Sequence, residues 1–278
     1  MNKRTIFVDW GWLMFRAIFA THGDKNGVPA TYSTMNMLVS NLRVLGVRKT
    51  DRVIIAVDGT RKGNWRKDID PQYKANRKDQ RDKFDIDWSY WFDEYRKLLE
   101  KLDRATPFHI VEAEKLEADD IIAYGCRYYK NDECVIVSSD SDYEQLAAFP
   151  NVKVYSPKSK NFKYIENPYK VIADKIKKER TDNLLSPVLN ERDFDKRNIL
   201  VNLTTLPAFV EEKAKEQLDK VNDFKQYDET LVPFKKIKER YFEMWNKQPS
   251  MLVDVAIKTV PKPKRAKKQK PSFTPPLF

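Results

Sequence analysis

The chain has 278 residues, 41% hydrophobic and 33% charged, with a net charge of +11. That length builds one large domain or two ordinary ones, and no apolar run approaches the ~20 residues of a membrane helix. Two cysteines, Cys126 and Cys134, make no disulfide framework. With His22 and His109 as the only histidines, a histidine-rich zinc site is excluded, and a metal would be held by carboxylates, which suit Mg²⁺ or Mn²⁺.

In chain order, residues 5–8 form a short apolar run that predicts a strand, and Asp9 closes it. A helical pattern over 33–46 is followed by a second strand at 53–57, which runs into Asp58. Residues 60–86 break the alternation. They are crowded with Lys, Arg, Asp and Gln and read as an excursion from the core. A helix over 88–103, a strand at 108–111, a helix over 117–130 and a strand at 135–138 restore it, and the last runs on to Asp140 and Asp142. A helical stretch at 141–148 and a strand at 152–155 follow. Short runs rich in Val and Ile suit strands buried on both faces, and β-α-β alternation predicts a mainly parallel sheet flanked by helices. From about residue 168 the pattern is helical with no further strand. None of the seven glycines lies beyond Gly125. Residues 258–278 carry seven basic side chains, five of the fifteen prolines and no acid, which leaves 45 basic against 41 acidic side chains elsewhere. This segment reads as an extended basic tail suited to a polyanion.

Asp9, Asp58 and Asp140 each follow a core strand. In an open parallel sheet ligands bind beyond the carboxyl ends of the strands, and acids gathered there repel one another unless cations lie between them. Glu117, Asp119 and Asp120 open a helix, with Glu117 and Asp120 three apart on one face. Asp142, Glu179 and Asp182 complete a candidate set of nine, enough for two divalent ions. Two carboxylate-held ions suit phosphodiester hydrolysis, one activating water and both neutralising developing charge. No Gly-x-x-x-x-Gly-Lys-Ser/Thr loop is present, which argues against ATP-driven chemistry.

Four motifs then carry a likeness. Val8-Asp9 with Leu13-Met14-Phe15-Arg16-Ala17, Val57-Asp58-Gly59 with Tyr73-Lys74-Ala75-Asn76-Arg77, Leu116-Glu117-Ala118-Asp119-Asp120, and Asp140-Ser141-Asp142 with Gln145-Leu146 resemble the 5′-nuclease superfamily. That superfamily includes the flap endonucleases and the 5′-nuclease domain of bacterial DNA polymerase I, and the phage ribonuclease H group looks most similar. The resemblance spans about residues 5–183. It implies a PIN-like α/β nuclease fold with a helical C-terminal region, divided as a catalytic domain at 1–167, a helical region at 168–257 and the tail. It implies two Mg²⁺ ions, replaceable by Mn²⁺, and cleavage of DNA flaps, 5′ ends or RNA–DNA hybrid primers by a cytoplasmic monomer that contacts no membrane. In the superfamily, residues 60–86 would form an arch over a single strand. Lys74 and Arg66 are the candidates for contacting the scissile phosphate. Arg61, Lys62, Lys67, Arg77 and Lys78 form a basic stretch, and Trp65 and Tyr73 are interleaved to stack on bases.

One departure is large. The run Lys178-Glu179-Arg180-Thr181-Asp182-Asn183 lacks the glycine that precedes the superfamily's duplex-binding helix–three-turn–helix, so that element is expected to be reduced. The ending Leu277-Phe278 could dock on a sliding clamp or a single-strand-binding protein. Two other readings stay open: a single-strand ribonuclease of the toxin-like PIN class, and a replication factor that binds nucleic acid without cutting it.

Overall fold

A computed structural model of the chain describes residues 3–177, 180–181, 184–185, 190–221 and 225–246. Glu179, Asp182 and the basic tail lie outside the described residues.

The chain begins with strand β1 (Arg4–Asp9), flanked in the sheet by β2 (Arg52–Val57) and β4 (Glu133–Val137), both parallel to it. With β3 (His109–Glu112), β5 (Val152–Ser156) and β6 (Asn161–Phe162) the order is β3-β2-β1-β4-β5-β6. The five expected strands are present and parallel, and β6 adds an antiparallel edge. The central strands are apolar throughout because both faces are covered. Ile6 and Val8 of β1, Val53 and Ile55 of β2 and Val135 of β4 point into one core, whereas Phe7, Ile54 and Ile136 point into the other.

The first core is roofed by α1 (Trp10–Ala20), α2 (Ala30–Val44) and α5 (Trp88–Ala105). Helix α1 was not among the expected elements. Asp9 supplies its N-cap, so one residue ends the strand and starts the helix. The second core is roofed by α6 (Ala118–Tyr128). Between β2 and α5 the excursion holds a 3₁₀ turn (Thr60–Lys62) and two short helices, α3 (Trp65–Ile69) and α4 (Arg77–Arg81). Residues 142–148 form a 3₁₀ helix.

After α7 (Pro168–Lys177) the expectation of helix alone is corrected by a two-stranded pairing, β7 (Arg180–Thr181) with β8 (Leu184–Leu185). Strands of two residues are too short to show alternation in a sequence. Helices α8 (Glu191–Val201), α9 (Ala208–Leu218) and α10 (Lys235–Asn246) follow. The last two return to opposite faces of the sheet. Val210, Ala214 and Leu218 of α9 join α6 in the second core, and Ile237, Tyr241 and Trp245 of α10 join the first.

Two glycines permit close packing beside the carboxyl edge of the sheet and between α6 and β1. A Cβ on Gly59 would lie 1.9 Å from the carbonyl oxygen of Ala113, because Gly59 exchanges backbone hydrogen bonds with Leu116 and Lys115. A Cβ on Gly125 would lie 2.6 Å from the Phe7 ring, so α6 rests directly on β1. Gly125→Ala should therefore push Phe7 off its position and cost about 1–3 kcal/mol. A thermal melt should show a drop of a few degrees, partly restored by adding Phe7→Leu.

Candidate active site

The carboxyl edge of the sheet gathers acids from four segments. Asp9 ends β1. Its Oδ1 accepts the Trp12 N–H at 3.0 Å, and its Oδ2 accepts the Ser138 hydroxyl at 3.1 Å. Asp58 follows β2 and opens to solvent, and its Oδ1 accepts the Ala118 N–H at 2.8 Å, which ties the strand end to the start of α6. Asp119, in the first turn of α6, accepts the Tyr143 hydroxyl at 2.6 Å. Asp140 follows β4, and its Oδ1 accepts the Asp142 N–H at 2.9 Å. Gly11 lies between two of them: a Cβ there would be 3.6 Å from Asp9 Oδ1 and 3.7 Å from Asp58 Oδ2.

These groups crowd one another. Burial pushes the Asp9 carboxyl up to about 7, and the charges of Asp58 and Asp140 add to the rise. Desolvation raises Asp119 well above the usual carboxylate range, helped by Asp140, Asp9 and Glu117. Glu117 goes the other way. Burial would raise it, but Lys74, Arg66 and Arg77 together outweigh burial and hold it well below the usual range. Burial and mutual repulsion thus disfavour the charged forms of Asp9, Asp119 and Asp140, with Lys74 a partial offset at Asp119 and Asp140, and a hard cation would relieve that cost. Among the described residues no three of these acids are placed to grip one ion unaided. Mg²⁺ keeps several waters and is commonly held through one or two carboxylates plus phosphate oxygens.

Four sequence-based assignments are corrected. Arg66, expected at the scissile phosphate, is 2% exposed. Its Nη1 donates to Glu117 Oε2 and Asp120 Oδ2, both at 2.9 Å, its Nη2 to Asp120 Oδ1 at 2.7 Å and its Nε to the Leu200 carbonyl at 2.8 Å. Asp120, expected to ligate metal, is buried, and its oxygens are taken by Arg66, the Trp65 Nε1–H at 2.9 Å and the Glu117 N–H at 2.9 Å. Trp65 and Tyr73, expected to stack on bases, are 2% and 3% exposed. Trp65 packs under the Arg66 guanidinium, and the Tyr73 hydroxyl donates to Glu117. A charge left unpaired in the interior is costly, so Trp65, Arg66 and Tyr73 turn inward to serve Glu117 and Asp120.

Lys67, Lys74 and Arg77 face a cleft of about 250 Å³ that is also lined by Asp58, Asn64 and Glu117 among others. Lys74 adopts a left-handed backbone (φ 51°) and sets its Nζ 2.8 Å from Glu117 Oε1. Lys78 also lines the cleft. Arg61 and Lys62 are exposed on the 3₁₀ turn, with Lys62 3.5 Å from Glu114. Asp142 is paired with Lys175 of α7. Sequence reasoning missed Ser138, Tyr143 and Lys175. The first two lie in or beside a motif already singled out, whereas nothing in the spacing marks a lysine of α7 as a neighbour of Asp142.

Arg66→Met should leave Asp120 and Glu117 facing each other in the interior and cost about 3–5 kcal/mol. Arg66→Lys should recover little, since an ammonium cannot reproduce the planar fork, and Arg66→Met with Asp120→Leu should recover part. Urea unfolding of the three variants checks this.

The family model described as 5′-3′ exonuclease, N-terminal resolvase-like domain, matches residues 4–177, more than half of the chain. Ribonuclease H of Enterobacteria phage T4 is 29% identical over 189 residues, which cover 64% of this chain and 61% of that protein. DNA polymerase I of Caldicellulosiruptor bescii is 32% identical over 174 residues, 60% of this chain and 19% of that one. The chain thus matches about three fifths and one fifth of the lengths of these relatives. A solved phage T5 protein, co-crystallised with metal ions, shares the fold at a TM-score of 0.58 and 15% identity, covering 87% of this chain and 99% of that one. With its strand-end aspartates and basic cleft in place, the chain belongs to the 5′-3′ exonuclease family and carries that family's N-terminal resolvase-like domain.

Proposed function

We propose that the chain is a divalent-metal-dependent 5′-nuclease that hydrolyses phosphodiesters near the 5′ ends of DNA, flaps and RNA–DNA hybrid primers. The observation that carries this reading is the adjacency of two opposite fields. Asp9, Asp119 and Asp140 form an acidic edge, and Asp58 and Glu117 join it to a cleft lined with Lys67, Lys74, Arg77 and Lys78. The basic side chains suit the phosphate backbone, whose neutralisation supplies most sequence-independent affinity. The acids suit two cations, with Mg²⁺ the expected ion and Mn²⁺ its substitute. When bound, such ions lower the pKa of an attacking water and offset charge on the phosphorus oxygens. The substrate classes follow the relatives: the phage T4 protein is named ribonuclease H, and the Caldicellulosiruptor protein is a DNA polymerase.

The chain's own residues divide the work. Lys74, held by Glu117 with only 9% of its side chain exposed, places a positive charge beside the acids at the wall of the cleft. Arg77 and Lys78 orient the strand along the cleft. Arg66 acts from behind, by fixing Glu117 and the first turn of α6. Asp9, Asp58, Asp119 and Asp140 are all present at the edge, which disfavours a factor that binds without cutting.

Asp140→Asn removes one charge from the edge while keeping its shape, and should abolish cleavage of a labelled flap or hybrid in Mg²⁺ while sparing binding. Full turnover by that variant would reject the assignment. Lys74→Ala should slow single-turnover cleavage far more than it weakens binding, because other cations of the cleft supply affinity.

A pH effect follows from Asp9. Its folded-state pKa, about 7, lies above its ordinary value of 3.8, so between the two the folded state holds the extra proton. This stabilising contribution is complete below the lower value and is lost as pH rises through about 7. A divalent ion binds the deprotonated edge. Added Mg²⁺ should therefore raise the melting temperature more at about pH 8 than at about pH 5.5.

A further inference from the structure

Asp9 and Asp119 differ from Asp142 in the kind of partner each has. Asp9 takes its hydrogen bonds from the Trp12 N–H and Ser138, and Asp119 from Tyr143. All three are neutral donors, which orient a carboxylate and leave its charge in place. Asp142 is instead closed by a cation. Lys175, in the last turn of α7, forms an ion pair with Asp142 Oδ2, with the ammonium side chain 14% exposed and the carboxylate 23%. Helix α7 packs along the 3₁₀ helix that Asp142 begins. Lys163 braces that helix from the β6 side, with Nζ 2.8 Å from Glu144 Oε1 and 3.2 Å from the Asp140 carbonyl oxygen. The lysine is therefore carried to the carboxylate by packed elements, and its charge also reaches Asp140.

We propose that Lys175 is a built-in competitor of the divalent ion at Asp142, so that an ion reaches that carboxylate only after the ammonium has left. An ammonium and a divalent ion cannot occupy the same carboxylate oxygen, and their repulsion at contact is strong in a half-buried setting. Ions then bind in two classes. The first takes the edge of Asp9, Asp119 and Asp140, where no ammonium is paired with Asp9 or Asp119 in the hydrogen bonds above. The second takes Asp142 and is weakened by the fraction of time for which the Lys175 pair is closed. A pair closed about nine-tenths of the time weakens that class about tenfold. Breaking the pair removes a charged tie between α7 and the 3₁₀ helix along which it packs. This inference rests on the metal-dependent reading above.

The test is a titration of the full chain with Mn²⁺ alone, without nucleic acid, followed by calorimetry and by the electron paramagnetic resonance signal of free Mn²⁺. The wild type should show a strong and a weak class. Lys175→Met should leave the strong class in place and tighten the weak one about tenfold, or reveal it where the wild type shows only the first. Lys175→Arg should keep the weak class weak. Lys175→Gln serves if the Met variant does not fold, with the same expectation. A weak class unchanged in both neutral variants, or both classes tightened equally, would overturn the proposal. Absence of any strong class in the wild type would instead reject the metal-dependent reading and this inference with it.

Discussion

The buried guanidinium of Arg66 is the interaction on which the active edge depends. It joins three segments far apart in the chain: the start of the arch, the N-terminus of α6 and the end of α8. Two carboxylates in the interior would repel one another and drive up each other's proton affinity. A planar cation with several donors can satisfy both and still reach a backbone carbonyl. With Glu117 and Asp120 secured, the first turn of α6 has a single position. Ala118 then presents its N–H to Asp58, and Asp119 faces the edge beside Tyr143. The arrangement of the exposed acids is thus set from beneath by a group that does not reach the cleft.

The carboxylates fall into two sets by the charge of their partners. Glu117, Asp120 and Asp142 are closed by Lys74, Arg66 and Lys175. Asp9 and Asp119 are held by neutral donors; burial raises both, with Asp58 and Asp140 adding to the rise at Asp9, and Asp140, Asp9 and Glu117 at Asp119. Glu117 and Asp120 build the frame, whereas the second set carries charge that burial disfavours and that an added cation would offset. Lys74 belongs to both fields, since it neutralises Glu117 and lines the basic cleft. Acids and cations so placed can hold ions and a phosphate backbone side by side without collapsing onto each other.

The C-terminal helices belong to the same construction. Leu200 of α8 supplies the carbonyl that Arg66 needs, and Gln145 donates to the Val201 carbonyl and accepts the Leu203 N–H. Helices α9 and α10 cover opposite faces of the sheet. A change in the C-terminal region is therefore felt at the edge through packing, although none of the described helices α8 to α10 brings an acid of the candidate set there.

Much of this was legible in the sequence. The five parallel strands follow from short Val- and Ile-rich runs, because a strand covered on both faces must be apolar throughout. The strand-end aspartates follow from their position after such runs, since the carboxyl edge of a parallel sheet is where the chain turns and ligands gather. What the sequence alone could not decide was which way a side chain points. Arg66, Trp65 and Tyr73 look like nucleic-acid contacts because Lys, Arg and aromatic residues crowd that stretch, and composition carries no sign for inward or outward. Asp120 and Asp119 are neighbours of the same type, yet one is spent on Arg66 and the other faces the edge, because adjacent helix positions differ by about 100°. Helix α1 was hidden because it starts directly after the strand, with Asp9 ending one element and capping the next and no loop between them. The pairing of Lys175 with Asp142 joins residues 33 apart through the packing of α7 on a 3₁₀ helix, a contact set by tertiary structure, where long-range charge pairs are chosen by which elements can cover one another.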